Sequence, residues 1–107
     1  MTAPKVPAAP KSLSTSGRRL WRSVCETWVL DKRQLEILRS ACEASDRVEM
    51  ARIELERDGL TVVDRYGQVK MHPSASIETS NRSLVARLLR ELQLAPAGDD
   101  SRPPRIY

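Results

Sequence analysis

His72 is the single histidine of the chain, and Cys25 and Cys42 are its only cysteines, so the side chains that build metal centres and nucleophile–base pairs are scarce. One imidazole cannot assemble a metal cluster, and no carboxylate pair is tied to it by a recognisable motif. Its place directly before Pro73 is that of a residue opening a helix. The two cysteines stand 17 residues apart with no C-x-x-C or Cys/His spacing, which predicts buried, reduced thiols of a cytoplasmic protein. No G-x-x-x-x-G-K-[ST] loop and no G-x-G-x-x-G occurs, and 4 glycines cannot build a nucleotide cradle. The sequence therefore predicts a protein that is not an enzyme and that carries no cofactor and no metal.

The chemistry that remains is electrostatic. Lys5, Lys11, Arg18, Arg19 and Arg22 precede Cys25 with no acid among them, whereas the stretch Asp31 to Asp58 sets eight acids against six bases. A cationic arm ahead of a near-neutral body, in a chain of net charge +4, points to phosphate backbones or to an acidic protein. A merely solubilising tail is the bland alternative. Arg18, Arg19 and Arg22 favour DNA contact over plain solvation because they adjoin the unbalanced arm, and each phosphate neutralised by such a group releases counterions. Arg82, Arg87 and Arg90 make a second basic surface further along the chain. Trp21 and Trp28 lie seven residues apart on an apolar helix face, which makes them core residues rather than platforms for stacking bases.

The elements that must position these charges can be read from periodicity. Pro4, Pro7 and Pro10 recur every third residue, so residues 1–14 form an extended, basic, disordered arm. Ser14, Thr15 and Ser16 offer caps to a first helix running to Trp28 or Val29, with Leu20, Trp21, Val24, Cys25 and Trp28 on one face. Asp31 and Gln34 form a capping box that opens a second helix, closed by Gly59 after Asp58. Ile37, Ala41, Ala44, Val48, Ala51 and Leu55 follow a 4-3-4-3-4 spacing, a coiled-coil seam of small residues. A second seam, Leu35, Leu38, Cys42 and Ser45, fades beside it and belongs to the first helix. The continuous one meets either the returning third helix or another subunit. Leu60–Val63 and Gln68–Met71 are β-prone and joined by "DRYG", with Gly67 supplying a positive φ. A lone hairpin is marginal in water, so Leu60, Val62, Val69 and Met71 should lean on a helix or a neighbouring copy. A third helix starts at His72 and Pro73 and carries Ile77, Leu84, Val85, Leu88, Leu89 and Leu92 as its apolar stripe to Leu94. The tail from 95 to 107 has too little apolar content to order itself. The fold class is mainly α: a short N-terminal helix, then a long antiparallel helical hairpin interrupted by a small β-hairpin, with the folded unit spanning 15–94. So small a core makes oligomerisation the default. No apolar run approaches the length of a membrane span.

"GRRLW" with Gly17, Leu20 and Trp21, then Leu35 and Leu38, Cys42 and Asp46, "DGL" from Asp58, Gly67, and "HP" at His72–Pro73 before a leucine-rich helix occur in an order and spacing that resemble one family. The chain is similar, from about Gly17 to Leu92, to the small subunit of phage terminases of the siphophage type. The resemblance implies a ring-forming component of viral genome packaging that recognises double-stranded viral DNA near its cutting site. It also implies hand-over to the large terminase subunit, which holds the ATPase and nuclease, in the cytoplasm of the infected bacterium. Many small terminases carry an N-terminal helix-turn-helix domain. Here one helix precedes the long hairpin, so the expected contact is with the DNA backbone through Lys5, Lys11, Arg18, Arg19 and Arg22, joined by Arg65 and Lys70 of the β-hairpin. The oligomer contact is expected from Ile37, Ala41, Ala44, Val48, Ala51 and Leu55 and, on the hairpin, from Val62 and Val69. Two rivals follow from the same features: a small dimeric transcriptional regulator whose first helix enters the major groove, and a structural adaptor whose arm meets an acidic protein.

Overall fold

The computed structural model describes residues 6–94, so Lys5 and the tail from 95 to 107 lie outside the described residues. The elements follow in the order α1 (Thr15–Thr27), α2 (Lys32–Asp58), β1 (Thr61–Val63), β2 (Val69–Met71) and α3 (Pro73–Glu91). The mainly helical architecture with one small antiparallel hairpin is the one the sequence predicts.

α2 starts and stops where its sequence dictates. The Asp31 carboxylate accepts from Gln34 N at 2.8 Å, and the Gln34 side chain accepts from Asp31 N at 2.9 Å, which satisfies two otherwise orphan amides. Gly59, at φ +84°, ends the helix and donates its N–H to Leu55 O at 2.7 Å. At the α-helical rise α2 is roughly 40 Å long. α3 opens on His72, whose Nδ1 accepts from Ser74 N at 3.0 Å, with Pro73 in the first turn. It ends at Glu91 rather than Leu94, because Gln93 takes φ +55° and breaks the helical path.

α2 and α3 run antiparallel, tied at three levels. Gln34 Nε2 donates to Leu92 O at 3.3 Å, Arg47 Nε to Asn81 Oδ1 at 2.8 Å, and Ser74 Oγ to the Glu54 carboxylate. These positions flank the continuous seam, so Ile37, Ala41, Ala44, Val48, Ala51 and Leu55 lie on the side of α2 that faces α3 of the same chain. Ala41, Ala44 and Ala51 are 0, 0 and 3% exposed within a single chain. Of the two neighbours expected for the seam, the returning third helix and another subunit, it is α3 of the same chain that meets it here, because small residues let α3 approach closely. The other three seam residues are half-buried.

The fading seam meets α1, as its apolar positions predict. Leu13, Trp21, Cys25, Leu38, Cys42 and Leu92 form one buried cluster drawn from the leader and all three helices. Leu13, 3% exposed, carries the packed unit back past Thr15 into the segment expected to be a free arm. Of the expected stripe on α3, Leu92 is fully buried whereas Ile77, toward the hairpin, is 45% exposed.

In the hairpin, Thr61 faces Met71, Val62 faces Lys70 and Val63 faces Val69. Each strand is one residue shorter than expected. The Asp64 carboxylate holds the turn by accepting from Tyr66 N at 2.8 Å and Gln68 N at 2.9 Å, and Gly67 sits at φ +79°. Opposed residues share a face, so Val62 and Val69 point to opposite sides of the ribbon, against the expectation that they act together. Val62 is half-buried beside Lys70. The opposite face carries Val63, Val69 and Met71, each about two-thirds exposed.

Candidate nucleic-acid interface

The basic face of α1 is mounted on α2 by one carboxylate. Ser14 stands at the cap position, but its side chain caps nothing. Instead Asp46 of α2 accepts from Ser14 N at 2.8 Å through Oδ2 and from Gly17 N at 2.6 Å through Oδ1. A carboxylate is the natural partner for the unpaired amides and positive pole of a helix N-terminus. Hydrogen bonds to a charged group contribute about 1.5–3 kcal/mol each. Such an approach requires Gly17: a Cβ there would stand 2.7 Å from Asp46 Oδ2 and 2.8 Å from Cys42 O. Ser16 and Ser45 join the same contact through their hydroxyls at 2.8 Å. Gly17 and Asp46 are thus a structural pair whose partnership the sequence alone did not disclose. An Asp positioned to cap another helix leaves no local spacing signal.

Trp21 lies one turn further on, 6% exposed, and its Nε1 donates to Pro7 O at 3.0 Å, pinning the leader along α1. Arg18 donates to Lys11 O at 3.2 Å and does the same from the outer side. Lys11, Arg18, Arg19 and Arg22 are all exposed. Arg65 and Lys70 stand elsewhere. Both belong to the hairpin beyond Asp58, whereas α1 docks around Cys42 and Asp46, a separation of about 18 Å along the α2 axis. Arg65 lies over the Tyr66 ring at 5.6 Å, and Lys70 is paired with Asp64 at 3.3 Å. The expected cationic residues therefore fall into two groups rather than one surface.

Ion pairing divides the molecule more sharply than net charge. Toward the hairpin, Arg52 binds Glu49 and Glu56, Arg57 binds Asp58, Lys70 binds Asp64 and Arg82 binds Glu78. The Arg57 guanidinium, together with His72 Nε2, which lies 3.0 Å from Asp58 Oδ2, holds the Asp58 carboxyl well below the usual carboxylate range. The Asp64 carboxyl is also lowered, first by the amide of Gln68. Around α1 most cations differ: among the described residues Arg19, Arg22, Lys32, Arg33, Arg87 and Arg90 are in no ion pair within 4.0 Å, although Arg39 meets Glu43 at 3.5 Å, and at the hairpin Arg65 is likewise in none. Lys32 and Arg33 stand out by no motif or spacing. Their one sequence signal is a pair of cations in the first turn of a helix that has no acid there.

Cys25 and Cys42 are free thiols buried in the core. Burial pushes Cys25 up and Cys42 up to about 12, with Cys25, Asp46 and Glu43 adding to the effect on Cys42. Neither is a nucleophile under ordinary conditions. No group of three or more His, Cys, Asp or Glu side chains that could hold a metal occurs among the described residues. No helix among them is long and apolar enough to cross a membrane.

A family model described as phage terminase, small subunit, matches residues 18–101, most of the chain. The chain belongs to the phage terminase small-subunit family. Membership implies a part in phage DNA packaging. Neither a curated protein nor a solved structure matches it. The match begins at Arg18, so it takes in α1 with its arginines, both helices of the antiparallel pair and the hairpin between them. In this small terminase subunit the segment shared with the family thus includes both the basic helix and the apolar ribbon.

Proposed function

We propose that this small terminase subunit acts without catalysing a reaction, as a ring of identical copies that holds double-stranded phage DNA near its packaging site. In the host cytoplasm the ring would deliver that DNA to the large subunit and regulate it. DNA is gripped through phosphates by the leader and α1, with Lys5, Lys11, Arg18, Arg19 and Arg22 as contacts and Arg65 and Lys70 as outlying ones. Copies associate through the hairpin.

The observation that supports this function best is the bare ribbon. Val63, Val69 and Met71 are 68, 67 and 68% exposed on one face of a two-stranded sheet, with Leu60 at 64% beside them. Two isolated strands are marginal in water, and a contiguous apolar face is kept exposed only where something covers it. With the α2 seam closed by α3, the hairpin carries the most exposed group of apolar side chains among the described residues, ahead of Met50, Ile53 and Ile77 on the helices. Its two edges differ, so pairing one copy's face with a different face of the next is a head-to-tail contact, the kind that closes into rings. A ring repeats a weak phosphate contact in each subunit and multiplies it through multivalency.

Light scattering and negative-stain imaging test the assembly. The wild type is expected to form closed rings, and Val63→Asp with Val69→Asp to leave a helical monomer. A double variant that still forms rings would show that copies meet elsewhere. DNA association is tested by reversing Arg18, Arg19 and Arg22 to glutamate, which should abolish binding and leave the ring intact. A wild type without affinity for duplex DNA at low salt would refute the DNA role.

A further inference from the structure

We propose that a second phosphate-binding surface, made by Lys32 and Arg33 at the start of α2 and by Arg87 and Arg90 on α3, contacts duplex DNA alongside the α1 arginines. The inference rests on the DNA-binding function proposed above and adds a surface to it.

These four residues gather at one end of the bundle. Gln34 Nε2 donates to Leu92 O at 3.3 Å, so the first turn of α2 lies against the end of α3. Leu92 shares its buried cluster with Trp21 and Cys25, so α1 closes the same end. All four side chains are exposed, and none is in an ion pair among the described residues. Arg82, about three turns of α3 away from that end, is bound to Glu78 at 2.6 Å. Among the described residues, Arg52, Arg57 and Arg82 toward the hairpin are thus ion-paired, with Arg65 the exception, whereas on the α1 side Arg39 alone is paired, with Glu43 at 3.5 Å.

Helix electrostatics sharpens the contrast. The N-terminus of a helix carries partial positive charge, so cations there are unfavourable where acids would stabilise. α2 nevertheless opens with Lys32 and Arg33 and has no acid in its first turn. These two residues do nothing for the helix that carries them, and although Asp31 and Glu36 are near in sequence, no carboxylate among the described residues lies within 4.0 Å of either. Arg90 in the last turn of α3 does favour its own helix, so Lys32 and Arg33 are the more telling pair. Duplex DNA presents one negative charge per about 1.7 Å of axis, so cations spread over one end of a bundle can meet several phosphates at once. An acidic protein would need its carboxylates placed to match. A regularly charged polyanion suits a spread of exposed cations better.

The test is anisotropy of a fluorescent duplex titrated with the full-length protein over a salt series. Lys32→Glu with Arg33→Glu is the main variant, and it is safe for the fold because acids suit that position. Arg87→Gln with Arg90→Gln is the second, and Arg82→Gln the control. Removing one cation that neutralises a phosphate should flatten the slope of log K against log[salt] by about 0.9. Each double variant should therefore flatten it by up to about 1.8 and bind at least tenfold more weakly near 0.1 M salt, with Arg82→Gln unchanged. Circular dichroism and light scattering confirm that fold and assembly are kept. Wild-type affinity and slope in both double variants, while reversal of Arg18, Arg19 and Arg22 still abolishes binding, would overturn this surface alone. A wild type that does not bind DNA would overturn it together with the function it rests on. Binding of poly-glutamate as tight as that of DNA at the same salt would overturn the phosphate assignment in favour of an acidic protein.

Discussion

Gly17→Ala should be among the most damaging small substitutions in this chain, although alanine is ordinarily the better helix residue. In an open helix the change would gain about 1 kcal/mol. At Gly17 the new methyl carbon would meet Asp46 Oδ2 at 2.7 Å, Cys42 O at 2.8 Å and Asp46 Cγ at 3.0 Å. One neighbour is backbone of α2, so the helices must part. Overpacking of this kind costs about 1–3 kcal/mol. Parting them also stretches the 2.6 Å and 2.8 Å bonds from Gly17 N and Ser14 N to the Asp46 carboxylate. Loss of one such bond to a charged acceptor costs about 1.5–3 kcal/mol. Set against the propensity gain, the net loss is about 1.5–5 kcal/mol.

For a domain of this size that loss lowers Tm by about 6 °C or more. Thermal and urea unfolding at one fixed protein concentration measure it, since assembly makes stability concentration-dependent. A cycle with Asp46→Ala tests the mechanism: removing that side chain relieves part of the clash, so the double variant should lose less than the two single losses added together. A Gly17→Ala protein as stable as wild type would refute the close approach of α1 to α2. Strict additivity in the cycle would refute the role given to Asp46.

Ala44→Glu places a charge at a site with no exposure, facing α3; it should cost about 3–5 kcal/mol and unfold the subunit rather than merely dissociate it, as circular dichroism would show. The Cys42 thiol, pushed up to about 12 when folded against 9.0 otherwise, gives stability that is complete below pH 9 and lost as pH rises toward 12. Denaturant midpoints should therefore fall over that window less steeply in Cys42→Ala than in wild type. Asp58→Asn removes the partner of both Arg57 and His72 Nε2, so amide exchange should quicken at Ser74 and along the hairpin with little change in the Leu38–Cys42 region; uniform exchange would contradict this local role. Because the Asp58 carboxyl is held low, its contribution is present above pH 4 and is lost as pH falls further.

Local signals were legible wherever a residue acts on its own element. The capping box of Asp31 and Gln34, the stop at Gly59, Pro73 in the first turn of α3 and the positive φ of Gly67 are satisfied within a few residues of themselves, so the sequence shows them. The seam of Ile37 to Leu55 was equally visible as a pattern, yet its partner was not. Heptad spacing specifies that a helix must be met and is silent on whether the same chain meets it. The hairpin failed by a single step of alternation: with Thr61 opposite Met71, the apolar face falls on Val63, Val69 and Met71, and a register fixed by the turn inverts every side chain when read one residue off. Asp46 was unreadable as a cap because its two amides lie 32 and 29 residues away.

The separation of the two surfaces along α2 has a mechanical consequence. Among the described residues most of the cations in no ion pair collect where α1, the start of α2 and the end of α3 converge, while the apolar ribbon, with Arg65 at its turn, projects from the other end of a helix roughly 40 Å long. Acids on the hairpin half pair with all of its arginines but Arg65, so the ribbon draws DNA less strongly than the α1 end does, and copies can associate there without releasing the α1 phosphate contacts. Between the two ends lies a rigid α2–α3 pair with its seam closed. If both proposed contacts hold, assembly and DNA binding should be nearly additive in free energy. The DNA affinity of one subunit's basic end, measured on the Val63→Asp/Val69→Asp monomer, should then match the per-subunit value extracted from the ring. A monomer that cannot bind DNA at any salt would mean that the phosphate surface is completed only across neighbouring copies.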